Sequence, residues 1–459
     1  MPVADTYTYE GGAGFSRTPE SEQYLLGASF LYGKPTFYES PDVRECRFIE
    51  LIRDRRISDE WLRGFIPHLR RELNIRTAAV VAAAEYVAAG RTHGREVVTS
   101  ALARADEPAE IMGYWLSRFG RKRPIAFDRG VRDALVQLVN EYSALKYAGW
   151  GNRVSMADVI NMTRPRPRDE VQRTLFQYLL AKRQGVPNVK PTAGPTGKEG
   201  TTYADLRKHQ KRQELLEMSP VKRRELVIGQ HPDAIRHLME SAGATWEWVA
   251  GTLLPGGMDA KAWEAVISVM GVMALVRNLR NFDEAGIGLT AYNIVAQRLM
   301  DEEAVRKSRI FPLQVLKAYQ EVGRTRWTHP LEVALRNSVS NVPEFSGKTV
   351  ALADVSGSMS WGGGGAAVAD QAVAFAAVAA DRSAKGSKLF VYSNSTSELK
   401  VTDALVAVAN ARRSQAWGGG TNTIQAIVNA YESTPDAKRV VIVTDEQAFS
   451  AGGHYWSRL

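Results

Sequence analysis

The sequence predicts a mostly α-helical chain that closes in a doubly wound α/β domain, and two observations predict it. Between about Val43 and Pro343, apolar residues recur at helical spacing in one segment after another, and strand-like alternation is scarce. After "NVPEFSG" the pattern changes to strand, glycine turn, alanine-rich helix and strand again, the alternation of a parallel sheet. A chain of 459 residues with 44% apolar content has material for two or three cores. The boundary falls near Ser346, which gives a helical part over 1–345 and an α/β part over 346–459.

Taken in order, "RTAAVVAAAEYVAAG" is rich in strong helix formers and closes on a glycine. Further helices are expected at "EPAEIMGYWLSRFGRK", "DRGVRDALVQLVNEYSALKYA", "PRDEVQRTLFQYLLAKR", "MDAKAWEAVISVMGVMALVRNLRNF", "GLTAYNIVAQRLM" and "FPLQVLKAYQEV". Many helices in succession, none long enough for a coiled coil, predict stacked pairs of HEAT type, although no clean repeat is visible in the residues. The stretch "QGVPNVKPTAGPTGKEGTTYADLRKHQKRQ" reads as a long exposed loop. In the last part "KTVALA", "SKLFVYS" and "RVVIVTD" read as strands.

Several function classes find no support. No apolar run reaches the roughly 18–20 residues of a membrane-spanning helix, and "MPVADTYTYEGG" lacks a leader's charged start and apolar stretch, so a cytoplasmic protein without membrane contact is expected. Cys46 is the single cysteine, which excludes an internal disulfide, and a buried, inert thiol is its expected role. The seven histidines lack an H-x-x-x-H spacing, and no G-x-S-x-G, Walker A or G-x-G-x-x-G stretch appears, so the residues make no case for an enzyme.

The net charge of +9 is regional: residues 118–224 hold 23 Lys/Arg against 10 Asp/Glu, more than the whole excess. Such a concentration reads as an electrostatic footprint for a polyanion, RNA or DNA, against the alternative of a basic surface that serves solubility. A second signal is "DVSGSMS", which closes the first strand of the α/β part. It crowds Asp354, Ser356 and Ser358 at one loop tip, offering hard oxygens to a cation such as Mg²⁺; a serine-rich turn that caps the next helix is the alternative. Ligands of doubly wound sheets gather at the carboxyl ends of strands. Thr421 in "WGGGTNT" and Asp445 in "RVVIVTDEQ" are placed at that same edge.

This five-residue set resembles the metal-ion-dependent adhesion site of von Willebrand factor A domains. The resemblance implies a divalent cation, Mg²⁺ in the first instance, approached directly or through water by Asp354, Ser356, Ser358 and Thr421, and through water by Asp445. It also implies an open coordination position that accepts an acidic group from a partner. The sequence stops at Leu459, whereas complete A domains continue through further strands, so residues 347–459 resemble a truncated domain, either shortened or completed by something else.

The first 345 residues resemble the TROVE module of the Ro autoantigen family and its bacterial or phage relatives, through "YEGGAGFSRTPESEQYLLGASFLYGKPTFYES", "MALVRNLRNF" and "RIFPLQVLKAYQEV". A TROVE module followed by an A domain is the Ro order. The resemblance implies a monomeric ring of HEAT-like helices closed by the A domain, with a basic cavity. Y-like noncoding RNA would bind the outer rim, single-stranded 3′ ends of misfolded RNA would enter the hole, and an exoribonuclease would act with the complex in RNA quality control.

Within the basic stretch, "ALKYAGWGNRVSMADVINMTRPRPRDE" resembles the family's Y RNA grip, which nominates Lys146, Arg153, Arg164, Arg166 and Arg168. The prolines at 165 and 167 prevent a regular helix and hold alternate arginines out; pairing with Asp169 and Glu170 is the alternative. Arg207, Lys208, Lys211 and Arg212, with Lys222, Arg223 and Arg224, form a second cluster that lines the cavity or flanks the loop. Trp115, Tyr147 and Trp150 are candidates for base stacking, with core packing as the alternative. A metal-dependent protein-interaction scaffold that binds no RNA is the competing function.

Overall fold

The computed structural model describes residues 6–7, 13–14, 17–29, 41–147, 154–184, 206–228, 231–323, 325–360 and 368–445. The chain divides into two compact units, Ser16–Gly257 and Met258–Leu459, the latter together with Met1–Phe15. A short antiparallel pair, β1 (Thr6–Tyr7) and β2 (Ala13–Gly14), lies near the start.

The unit Ser16–Gly257 is built from helices packed on their sequence neighbours in a repeat-like way. At its centre Arg76–Ala88 is buried almost along its whole length, because an alanine-rich helix presents no bulky face and lets neighbours close in on every side. Asp59–Arg71, Gly94–Ala101, Glu107–Phe119 and Ile125–Leu138 surround it. Gly130 is required where two of them touch: a Cβ there would lie 2.7 Å from Val98 Cβ and 2.8 Å from the Arg95 carbonyl oxygen. The core runs through Phe48, Ile52, Ile66, Leu69, Tyr86 and Phe127.

Two single helices expected from periodicity are each broken in two. Over 128–148 the break falls at Asn140, whose N–H donates to Ser143 Oγ while its Oδ1 accepts from the Ser143 N–H, both at 2.9 Å, so a reciprocal cap starts the new helix Glu141–Tyr147. In "MDAKAWEAVISVMGVMALVRNLRNF" the extended Gly271 separates Ala260–Ile267 from Val272–Ala285. The expected long loop also ends early, since "RKHQKRQ" opens the helix Arg207–Glu217; residues 185–205 lie outside the described ones. Cys46 is exposed, contrary to expectation, because the helix Pro41–Arg53 turns Phe48, Ile49 and Ile52 to the core and leaves position 46 on another face.

In the second unit, helices from Ala260 to Ser338 precede the sheet, anchored by fully buried Trp327, whose Nε1–H donates to Asp283 Oδ2 at 2.9 Å. The sheet has strands β3 (Thr349–Asp354), β4 (Lys388–Tyr392), β5 (Thr396–Leu399) and β6 (Arg439–Val443) in the order β5-β4-β3-β6. β3 pairs parallel with β4 and β6, while β5 is antiparallel to β4. Every residue of β3 is buried, as expected of an apolar run with neighbours on both edges and helices against it. Inside this unit, Asp370 on Val368–Asp381 is held by Arg412 Nε at 2.9 Å and accepts from Gln320 Nε2 at 3.2 Å, tying the sheet's helices to Pro312–Val322.

Candidate metal and nucleic-acid sites

At the carboxyl end of the sheet three loops are stitched together. Val355 follows β3, and its N–H donates to the Tyr392 carbonyl at 2.9 Å. The Gly418 N–H donates to Val355 O and the Gly357 N–H to Gly419 O, each at 2.8 Å, which lays the glycine run ahead of Thr421 against the D-x-S-x-S turn. From the other side, Thr444 Oγ1 donates to Asp354 Oδ2 at 2.7 Å, tying down the end of β6 one residue before Asp445. Gly418 and Gly419 have φ of 86° and 92°, conformations that a side chain would strain.

Within the turn, Asp354 is fully buried and its Oδ1 accepts from the Ser356 N–H at 2.9 Å. Ser356 Oγ lies 3.2 Å from Ser358 Oγ. Ser356 and Thr421 are buried, Asp445 is half-buried and Ser358 is exposed, so the cluster has one side toward solvent. Burial pushes the Tyr392 phenol up, and the negative charges of Asp354 and Asp445 raise it further. Two acids, one closing β3 and one just past the end of β6, with three hydroxyls are a hard-oxygen donor set, and they fit Mg²⁺. Among the described residues no group of three or more His, Cys, Asp or Glu could hold a metal, a combination this hydroxyl-rich set does not contain.

Sequence reasoning missed Thr444, Tyr392 and Asn394. Asn394 Oδ1 accepts from the Gly420 N–H at 3.1 Å, and a Cβ on Gly420 would lie 2.7 Å from that oxygen. Thr444 alone had a local signal, the "TD" just after β6, and its bond to Asp354, like the contacts of Tyr392 and Asn394, joins residues far apart in sequence.

The nominated basic residues fall in different settings. Arg164, Arg166 and Arg168 are exposed while Pro165 and Pro167 between them are half-buried, so the extended segment after Met156–Thr163 alternates cation and proline. Arg164, at φ 46°, turns the chain out of that helix. Arg168 Nε pairs with Asp169 Oδ2 at 3.2 Å, whereas neither Arg164 nor Arg166 meets an acid among the described residues. Lys146 is half-buried, its ammonium 5.4 Å from the Tyr147 ring, which Arg104 also approaches at 5.0 Å. Arg153 and Trp150 lie outside the described residues. Trp115 is core, 3% exposed, with its Nε1–H on the Lys122 carbonyl.

In the second cluster Arg207 is exposed, Lys208 is half-buried against Gly243, and Lys211 pairs with Glu214 at 3.2 Å. Arg212 is turned inward: its guanidinium donates to the carbonyls of Ala242 (2.9 Å), Leu145 (3.3 Å) and Gly243 (2.6 Å). Burial pulls it down to about 10, and it still carries its charge at neutral pH. Arg223 likewise donates to the Met218 and Leu216 carbonyls, while Lys222 is exposed.

His209, near Arg212, is buried and its Nδ1 lies 3.0 Å from Glu141 Oε1. Burial lowers its pKa below 6.5, aided by Lys182 and Arg212 and opposed by Glu141. The unfolded chain therefore takes up a proton near pH 6.5 that the folded chain refuses, so this contribution is present above that pH and fades as the pH falls through it. Urea midpoints measured from pH 5 to pH 8 should show the decline, and His209→Gln should remove part of it; an unaltered profile in the variant would assign the decline elsewhere.

Residues 237–352 match the family model described as TROVE domain. The chain is 27% identical over 217 residues to the RNA-binding protein RO60 of Deinococcus radiodurans, a match over 42% of this chain and 41% of that protein. It is 35% identical over 101 residues to telomerase protein component 1 of Mus musculus, over 22% of this chain and 4% of that protein. The chain thus spans less than half the length of these relatives. Its fold matches the crystal structure of the Deinococcus radiodurans RO (RSR) protein with a TM-score of 0.68 at 17% identity, over 95% of this chain and 89% of that one.

Proposed function

We propose, for a chain that carries a Ro-like TROVE domain, that it is an RNA-binding scaffold: it holds a Y-like noncoding RNA through the basic surface around 164–168, receives single-stranded ends of misfolded RNA, and works with an exoribonuclease in the cytoplasm. The exposed alternation of Arg164, Arg166 and Arg168 carries this reading. Two half-buried prolines fix that backbone, so cations are presented to successive phosphates with little ordering left to do on binding. At the edge of the sheet, Asp354, Ser356, Ser358, Thr421 and Asp445 would hold Mg²⁺, which would supply a positive charge able to take a partner's carboxylate.

The test is a salt titration of RNA affinity. Replacing the three arginines with Ala should weaken binding across RNA sequences and flatten the log–log salt slope by about 2, at roughly 0.7 per lost phosphate contact. An unchanged affinity and slope would remove these residues from the RNA surface. If the chain is instead a protein-interaction scaffold, binding of its partner will respond to chelator far more than to salt.

A further inference from the structure

A cavity of about 600 Å³ lies inside the unit Ser16–Gly257, between Glu141–Tyr147, Met156–Thr163, Glu170–Arg183, Arg207–Glu217 and the turn Trp246–Trp248. Its lining combines aliphatic side chains (Ala144, Leu145, Ala157, Leu179 and Leu216) with aromatic and cationic ones. Trp248 is half-buried, with the Arg212 guanidinium 4.7 Å from its ring centroid. Three backbone carbonyls hold that guanidinium, so the indole and the cation form one fixed plate. Tyr178 and His209 are buried and meet edge to face at 5.0 Å. Glu141 occupies His209 Nδ1, a carboxylate that fixes the proton there and leaves Nε2 as the ring nitrogen able to accept. Lys182 and Arg183 are exposed at the rim, Lys182 5.9 Å from the Tyr178 ring and Arg183 paired with Asp158 at 3.2 Å. Glu217 is the acid in the lining, and Gln213 donates to it at 2.9 Å.

A site for an acidic peptide would need cations but no aromatic plate, and one for an apolar ligand would not place Lys182 and Arg183 at the opening. Flat aromatic surface, a fixed cation behind it, a buried acceptor and exposed cations at the rim together match the parts of a nucleotide. We propose that this cavity takes one unpaired nucleotide, its base stacked on the plate of Trp248 and Arg212, an N–H or O–H donated to His209 Nε2, and its phosphate met by Lys182 and Arg183. The nucleotide can be part of an RNA strand or free, and the RNA-strand source rests on the function proposed above.

Calorimetric titration of the full chain with adenosine 5′-monophosphate, adenosine and a ten-residue oligoadenylate tests it. The monophosphate should bind several-fold more tightly than the nucleoside. Trp248→Leu should weaken both nucleotide probes roughly tenfold or more, the effect of losing one stacked base. Lys182→Glu, at an exposed position on the rim, should weaken the monophosphate and leave adenosine unchanged. No binding of the monophosphate or the oligomer, or binding that neither variant alters, overturns the inference. A stem-loop RNA titrated in parallel separates the two readings. If it binds through the arginines at 164–168 while the monophosphate does not bind, the pocket falls and the RNA function stands. If the monophosphate binds through Trp248 and no RNA does, the pocket stands as a site for a free nucleotide and the RNA function falls.

Discussion

Glu107→Ala is expected to cost about 3–5 kcal/mol of stability, the range for removing one partner of a buried ion pair. Glu107 is fully buried at the start of Glu107–Phe119, where its carboxylate accepts from Arg70 Nε at 3.0 Å and Nη2 at 2.7 Å. The same group also accepts from the N–H of Ala103 at 2.6 Å and of Arg104 at 3.1 Å, so it ties down the connection that precedes its helix and neutralises a neighbour at once. Truncation leaves the buried Arg70 without its acid and two backbone donors without an acceptor. Glu107→Gln keeps the shape and one good acceptor, and should cost less. Urea unfolding at pH 7 with unchanged m-value checks the order; a loss below about 1 kcal/mol for the alanine variant would mean that the surroundings relax to rescue Arg70.

Asp354→Asn is expected to weaken Mg²⁺ binding on the order of a hundredfold or more while RNA affinity stays nearly intact. The substitution is close in shape and keeps an oxygen for the Ser356 N–H, but it removes the fully buried negative charge at the root of the cluster. The arginines at 164–168 lie in the other compact unit, so an RNA surface there would not need this charge. Mg²⁺ titration and an RNA gel shift on one preparation read both halves. Mg²⁺ affinity that survives the substitution would refute the metal site, and a collapse of RNA binding in a folded variant would join the two sites.

Thr444 shows where reading the site from sequence stops. The strand "RVVIV" and the acid two residues after it are visible in one dimension, and Asp445 could be nominated. That Thr444 would donate to Asp354 follows from β6 lying directly beside β3, a pairing of residues about 90 positions apart. The antiparallel edge strand β5, "TSEL", was not legible either, because a short polar strand has neither an apolar run nor clean alternation to mark it.

By itself the sequence determined where most helices and three strands form, that positive charge concentrates between 118 and 224, and which acids and hydroxyls stand at strand ends. These depend on local periodicity, turn residues and counting, all carried within a few residues of the position concerned. Tertiary packing alone decided that Arg212 spends its donors on three carbonyls while Arg164 and Arg166 stay exposed, although all are arginines in one basic stretch. It also decided that Cys46 faces outward, and that Trp248 stands over Arg212, 36 positions earlier. A guanidinium has the same donors everywhere; which acceptors surround it depends on helices brought together by the burial of distant apolar side chains, and that arrangement is written in no single segment.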